Sequence, residues 1–376
     1  EHMYGWVWLL RDVSWEPNFP TTARSAEDMY QIGQRLNVDG VIAINQWTLL
    51  RLIDSVGEIT PPGGVPVNSR NLLSVLEEGT DLHGRAYMDL VLQGFIDKLD
   101  RPASIPTLVR LASGLHDTLE ARDMLLFFDD EGLQSLMGEL GWDGRIAQDT
   151  RDYLYVVDSN VGWNKVDRNI QREIRYAVDL SRGPRPRVNL TLAYNNHSGP
   201  SAPSCDPQWL NRRRDYGSLK NACYWNLVRV YVPQESIMLS STPMLLPEYS
   251  VSVQIGLGRV GEDSGRISST HNKKVFSGLT AIEAGERSEI TLVYDLPSSA
   301  VQREGDVLIY ELLVQKQPGV RQRRVAVELD LPEGYRLVSS SAPAVQTDES
   351  HVSVEFMLTS DFLLRVELTR ATNGSG

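Results

Sequence analysis

The chain has few of the residues that most catalytic signatures require. Among its 376 residues are two cysteines and six histidines, one of the latter at position 2. No H-E-x-x-H, G-x-S-x-G, P-loop or Cys-x-x-Cys motif occurs, so a zinc enzyme or a serine hydrolase is disfavoured. His83, His116 and His197 are scattered and read as surface or supporting residues. No apolar run approaches the roughly 18–20 residues that a membrane-spanning helix needs, and no charged-then-apolar leader opens the chain. The ends, Glu1-His2-Met3 and Asn373-Gly374-Ser375-Gly376, read as those of an excised fragment.

Basic residues are also in deficit, 37 against 49 acidic ones, for a net charge of −12. This argues against a nucleic-acid-coating protein, whose affinity rests on neutralising phosphates. The imbalance is local. Residues 1–150 hold 11 basic and 23 acidic side chains, residues 151–230 hold 13 and 7, and the remainder is acidic again. With 41% hydrophobic and 23% charged residues the composition is that of a globular protein, and the length suggests two or three domains.

Periodicity divides the chain in the same way. In the first 150 residues, short apolar runs (Trp6–Leu10, Val38–Ile44, Met124–Phe128) alternate with helical patterns. These helices are expected at 25–32 with Ser25 near the cap, at 47–54, 69–78, 84–99 and 105–120, and from a cap at Asp129-Asp130 to about Leu140. Such alternation implies an α/β domain over 4–150 with a mostly parallel sheet. From Tyr153 the period becomes two. Ile170, Ile174, Tyr176, Val178 and Leu180, then Val188, Leu190, Leu192 and Tyr194, flank a Gly/Pro turn and predict a hairpin. Further strands are expected at 227–232, 251–257, 290–294, 307–314, 325–331, 352–358 and 362–368. The reading is a β-rich basic segment over 151–235 followed by a β-sandwich over 236–370, an all-β sandwich-like region.

Gly256-Leu257-Gly258-Arg259-Val260-Gly261 is a literal G-x-G-x-x-G, but a loop composition follows where a dinucleotide site needs a helix, so it reads as a glycine-rich β turn and no cofactor is expected. Cys205 and Cys223 close one polar loop and suit a disulfide in an exported protein, the alternative being two free thiols. After the apolar strand Leu154–Val157 comes Asp158-Ser159-Asn160-Val161-Gly162-Trp163-Asn164-Lys165. Side chains at a strand's carboxyl end line ligand crevices, which makes Asp158, Asn160, Asn164 and Lys165 ligand candidates. The stretch lacks the closing Glu of a calcium loop, and no metal site is assigned; Asx turns that satisfy their own backbone are the alternative. Arg168, Arg172, Arg175, Arg182, Arg185, Arg187 and Arg212-Arg213-Arg214 lie near Trp209, Tyr216, Tyr224 and Trp225. Arginine forks and aromatic faces suit an anionic glycan or lipid head group; the alternative is a face that docks on the acidic first domain.

Val38–Ile44, Asp152–Lys165, Cys223–Asn226 with Val230–Pro233, Tyr310–Gly319 and Leu331–Gly334 together resemble an uncharacterised bacterial domain-of-unknown-function family of large envelope proteins. That resemblance implies a membrane anchor upstream of residue 1 and a further α/β portion ahead of it. A fainter resemblance, on Val41–Ile44, Leu49–Ile53, Asp54–Ile59 and Asp81–Arg85, is to the LytR-CpsA-Psr glycopolymer transferases. It implies that Arg85 matches a pyrophosphate-binding arginine, while Met88 stands where a second arginine is expected. Two functions are therefore expected. One is an extracytoplasmic, cell-surface module that binds or scaffolds an envelope glycan or a protein partner. The other is a transferase acting on an anionic lipid-linked glycopolymer, with Arg85, the basic middle segment and a divalent cation on Asp39 or Asp54.

Overall fold

The computed structural model describes residues 10–83, 86–100, 104–148, 150–162, 164–199, 205, 219–250, 253, 258–346, 348 and 350–370. The expected strand at 6–10 lies outside them except for Leu10, which opens a 3-10 turn, Leu10–Trp15; of 251–257 only Val253 is described.

The first 140 residues form a helical lobe of α1 (Phe19–Gln34), β1 (Gly40–Ile44), α2 (Gln46–Val56), α3 (Leu72–His83), α4 (Ala86–Leu99), α5 (Ile105–Glu120), β2 (Met124–Phe128) and α6 (Glu131–Glu139). Asp130 caps α6 by accepting the Leu133 amide, as its sequence predicted. Helix α1 starts six residues before Ser25, because Pro20 fits the first turn, where no amide donor is needed. Ser25 instead bonds back to the Thr21 carbonyl. The expected parallel sheet is not formed. β1 and β2 pair antiparallel, Gly40 against Phe128 through Ile44 against Met124, as a two-stranded sheet. The helices between them build their own core, with Leu49, Ile53, Leu72, Val91 and Phe95 buried together, and so do not cover a larger sheet. Gly114 on α5 permits the contact with α2, since a Cβ there would lie 2.5 Å from Ser55 Oγ.

The rest is a two-sheet sandwich. Its strands are β3 (Asp152–Asn160), β4 (Ile170–Asp179), β5 (Arg187–Asn196), β6 (Tyr224–Pro233), β7 (Ile237–Ser241), β8 (Arg266–Thr270), β9 (Lys273–Ile282) and β10 (Arg287–Asp295). They continue with β11 (Val301–Glu304), β12 (Val307–Gln315), β13 (Arg323–Asp330), β14 (Tyr335–Ser340), β15 (Ala344–Gln346), β16 (His351–Leu358) and β17 (Phe362–Arg370). One sheet runs β15-β16-β13-β4-β5-β10-β7 and the other β14-β17-β12-β3-β6-β9-β8, with β11 beside β12. In each sheet a pair of strands from before residue 235 (β4-β5, β3-β6) lies between strands from after it, and all share one core from Leu154 to Leu368, so the expected boundary at 235/236 separates no hydrogen-bonded unit. The reason is register: β3 lies parallel to β12 and β4 parallel to β13, which locks the two halves together.

That parallel pairing positions everything that follows. The links β3-to-β4 and β12-to-β13 each carry the chain from one sheet to the other, and they leave side by side at the same end of the sandwich.

Strand β3 is buried on both faces. Asp152, Leu154, Val156 and Asp158 point between the sheets, while Tyr153, Tyr155 and Val157 pack with Ile146, Tyr231 and Val275 on the outer face that the helical lobe covers. The Asp152 carboxylate has no cationic partner among the described residues. It accepts from the Tyr153 amide (2.7 Å), from Tyr176 Oη (2.9 and 3.1 Å) and from Tyr310 Oη (2.5 Å), and Tyr294 Oη donates to Tyr176. Burial pushes Asp152 up from 3.8 to about 6, against the opposing pull of these hydroxyls and the amide. The folded state therefore holds the proton more tightly than the unfolded chain, and stability from this group falls as pH rises from about 4 to about 6. At 1.36 kcal/mol per unit the loss is about 3 kcal/mol. Asp152→Asn is expected to gain stability relative to wild type over that interval and to keep a constant advantage above it, read by urea unfolding at a series of pH values. A pH-independent difference between the two proteins would contradict the assignment.

Candidate functional site

At the end of the sandwich where both links cross, Asp158 sits with its side chain 1% exposed. Arg172 from β4 reaches Oδ2 (3.1 Å), Arg323 from the start of β13 pairs with the same oxygen, and Tyr194 from β5 (2.7 Å) and Asn226 from β6 (2.8 Å) donate to Oδ1. The four donors come from both sheets. Burial raises the carboxyl, but Arg323 and Arg172, with Tyr194 and Asn226, together hold it below its ordinary value. Arg172 also bonds Asp167 (2.6 Å) and Tyr224 Oη (2.9 Å). Gln317 clamps the backbone of Asp158, accepting its amide (2.9 Å) and donating to its carbonyl (2.8 Å), which prolongs the parallel β12–β3 pairing with a side chain.

The neighbouring amides are used internally. Asn160 Nδ2 donates to Asn164 Oδ1 (2.8 Å) and Asp167 (2.9 Å), its Oδ1 accepts the Gly162 amide, and Asn164 Nδ2 donates to the Cys223 carbonyl (2.8 Å). These are the Asx turns of the alternative reading. Lys165 is exposed, its amide bonded to the Leu219 carbonyl. Arg168 leaves the sandwich to pair with Glu77 on α3, which Lys220 also holds (2.5 Å), so Arg168 contributes to docking on the helical lobe. Arg187 pairs with Asp295 and Arg185 bonds the Glu235 carbonyl. Arg85, Trp163, Trp209, Arg212–Arg214, Tyr216, Gly256 and Leu257 lie outside the described residues. Cys205 and Cys223 form a disulfide, Cα to Cα 5.2 Å, packed with Val161, Trp225, Leu246 and Leu279. Gly261 is followed by β8, not by a helix. Among the described residues no group of three His, Cys, Asp or Glu side chains could hold a metal ion, and no helix is long and apolar enough to cross a membrane.

The lobe docks through the strand end 315–317. Gln315 bonds the Ala147 amide and the Arg145 carbonyl (3.0 Å each), and buried Lys316 donates to the Ala121 carbonyl (2.6 Å) beside Asp123 (3.4 Å). Arg122 pairs with Asp361 (2.5 Å), which also accepts the Lys316 amide. Among the described residues this docking leaves a cleft on each side of Gln317-Pro318. The larger, about 880 Å³, is walled by the two crossing links and by Gln46 and Trp47 from the start of α2. Arg168, Arg172, Arg321 and Arg324 line it, together with Gln171 and Gln322. Arg324 pairs with Glu355, whereas Arg321 lies 5.0 Å over the Trp47 ring and has no carboxylate partner among the described residues. The smaller cleft, about 570 Å³, lies between the segment 12–17, α1, β1 and the outer face of β3. The residues missed by sequence reasoning are Tyr194, Asn226, Arg229, Arg323, Gln317, Arg321 and Trp47. Two of them carry a signal: Tyr194 belongs to the inward row of a period-two strand, and the run ending at Gly319 holds Gln317.

The architecture is thus a helical lobe docked on a β-sandwich whose sheets are tied by a buried ion cluster. Residues 2–80 match the model of a family described as a protein of unknown function (DUF4012), so the N-terminal part carries the mark of an uncharacterised family, as its sequence predicted. No curated protein matches the chain. Among solved structures, an M1 zinc metallopeptidase from Deinococcus radiodurans is 10% identical, covering 54% of this chain and 42% of that one, with a TM-score of 0.27. A Legionella pneumophila protein described as nutrient binding is 9% identical (57% and 70% covered, TM-score 0.29). The folded domain of LppM from Mycobacterium tuberculosis is also 9% identical (54% and 92%, TM-score 0.24). The chain spans less than half the length of the metallopeptidase, and likenesses this distant carry no conclusion about activity.

Two stability effects follow. Asp158→Asn leaves Arg323 buried without a carboxylate and is expected to cost about 3–5 kcal/mol in urea unfolding; an unchanged midpoint would mean that the cluster does not tie the sheets. Reducing Cys205–Cys223 is expected to cost about 3 kcal/mol in the chain-entropy account, measured by unfolding with and without reductant.

Proposed function

We propose that the chain is a module of the cell envelope, on the outer side of the membrane, that binds an anionic glycan in the larger cleft. The observation that carries this reading is the Trp47–Arg321 pair. A guanidinium stacked on an indole, without a carboxylate among the described residues, stands in a cleft that also offers the side-chain amides of Gln46, Gln171 and Gln322. An aromatic face takes the apolar side of a sugar ring, amides take its hydroxyls, and a free arginine takes a phosphate or carboxylate substituent. The cleft volume lies within the range of small-ligand sites, enough for a short stretch of polymer. The disulfide supports an oxidising compartment.

The transferase reading has less support. Asp54 accepts from the Ser69 hydroxyl (2.8 Å), Asp39 precedes β1, and nothing among the described residues gathers either with the basic middle segment.

Binding is tested by titrating phosphate- or uronate-bearing wall polysaccharides and a neutral glycan against the chain. Arg321→Gln is expected to weaken the anionic glycans by at least about tenfold and the neutral one little, and Trp47→Ala to weaken both. No binding to any of them, with the fold intact, would remove the reading.

A further inference from the structure

The smaller cleft contains a different feature. Arg229 on β6 is 9% exposed and lines this cleft, yet it has no carboxylate partner among the described residues. Its Nη2 donates to two neutral oxygens, the Trp15 carbonyl and Ser159 Oγ (2.9 Å each), its Nε has no acceptor, and its guanidinium lies 5.1 Å over the Trp15 ring. The hydroxyl of Tyr231 feels the charges of both Arg229 and Glu16, and burial pushes its pKa up, so it remains neutral. Asp12 and Glu16 line the same cleft. Four other buried cations among the described residues do face carboxylates: Arg172 and Arg323 on Asp158, Lys316 on Asp123, and Arg122 on Asp361. A buried guanidinium without one is costly and calls for an anion from outside the chain. Phe19, Val41, Leu125, Tyr155 and Val157 form an apolar stretch of the wall, with Ser14, Thr22, Asn160 and Gln317 also lining an open volume of about 570 Å³.

We propose that this cleft binds a single-chain amphiphile, its anionic head group on Arg229 and its apolar chain along Phe19, Val41 and Leu125. One charged oxygen group compensates the arginine, and the chain covers the hydrophobic wall where the lobe meets the sandwich. The proposal does not depend on the glycan reading, whose cleft lies on the other side of Gln317-Pro318.

The test uses the whole chain and the fluorescence of its tryptophans, of which Trp15 stacks on Arg229. Decanoate, decyl phosphate, decanol and inorganic phosphate are titrated below micelle-forming concentrations. Decanoate or decyl phosphate is expected to bind at least about tenfold more tightly than both decanol and inorganic phosphate. A preference between the two anionic chains supports the proposal and identifies the head group as carboxylate or phosphate. Arg229→Gln is expected to bring the anionic chains down to the level of decanol. Ala26→Trp, which fills the cleft from α1, provides the second variant if Arg229→Gln fails to melt like wild type, and is expected to weaken both chains. Equal binding of decanol and decanoate, unchanged binding in both variants, or loss through Arg321→Gln with none through Arg229→Gln would overturn the proposal.

Discussion

Much of this structure depends on one buried carboxylate, Asp158, shared by two guanidinium groups that reach it from the opposite sheet. A two-sheet sandwich is held mainly by non-directional apolar contact, which fixes neither the register of one sheet against the other nor the path of the crossing segments. Asp158 adds direction. Arg172 and Arg323 belong to strands that lie parallel to each other, and Asp158 belongs to the strand that runs parallel to β12. The ion cluster therefore ties both parallel pairs at one point. The energetic gain of such a cluster over apolar packing is small, because desolvation offsets most of the Coulomb term. A slipped register, however, would leave three charges buried and unpaired, so the cluster discriminates against wrong pairings more than it stabilises the right one.

The helical lobe uses the same strand end. Gln315, Lys316 and Gln317 follow one another, and each grips a different part of the chain. Gln315 holds the segment 145–147, Lys316 the α5–β2 turn, and Gln317 the backbone of Asp158. Three consecutive polar residues at the end of a buried strand would be costly if unsatisfied. Here they convert the exit of β12 into the junction of lobe and sandwich. The lobe touches the sandwich along this 315–318 ridge and also through Arg122 on Asp361 and Glu77 on Arg168 and Lys220, and a cleft opens on each side of the ridge.

The sequence was most legible where one physical signal dominated. Period-two burial placed the β4–β5 hairpin almost to the residue, since Val188, Leu190, Leu192 and Tyr194 all turn inward. Helix α5 was found at both ends, with Ser104 as its cap and Pro106 in its first turn. Strand order was not legible, because pairing partners are chosen by contacts distant in sequence: β1 and β2 look like members of a parallel sheet until the helices between them are seen to pack on one another. β9 was missed because Gly278 and the adjacent Val275-Phe276 break its alternation. The most informative clue was an exception. Arg172 occupies an inward position in an otherwise apolar row, and a charge placed there must have a buried partner. The polar residues at the end of β3 and beyond it have partners within the fold, as Asn160 and Asn164 satisfy their own loop and Asp158 satisfies the core, while Asp158 and Asn160 also line the clefts.

The charge distribution takes on a different meaning once folded. The excess of arginine in residues 151–230 suggested a cationic surface, but Arg172 is consumed in the core, Arg168 and Lys220 converge on Glu77 of the lobe, and Arg187 is held by Asp295. Part of the positive zone is thus neutralised, by Asp158 and Asp167 within the segment, by Asp295 of the sandwich and by Glu77 of the acidic lobe. Arg229 and Arg321 depart from this pattern. They stand on opposite sides of Gln317-Pro318, each stacked on a tryptophan from the helical part, Trp15 and Trp47. An indole face tolerates a cation without neutralising it. The docking of lobe on sandwich thus keeps two arginines oriented, Arg229 buried and Arg321 exposed, at the walls of clefts that share one ridge. On the readings proposed above, it is these two arginines, and not the basic segment as a whole, that would meet an anionic partner.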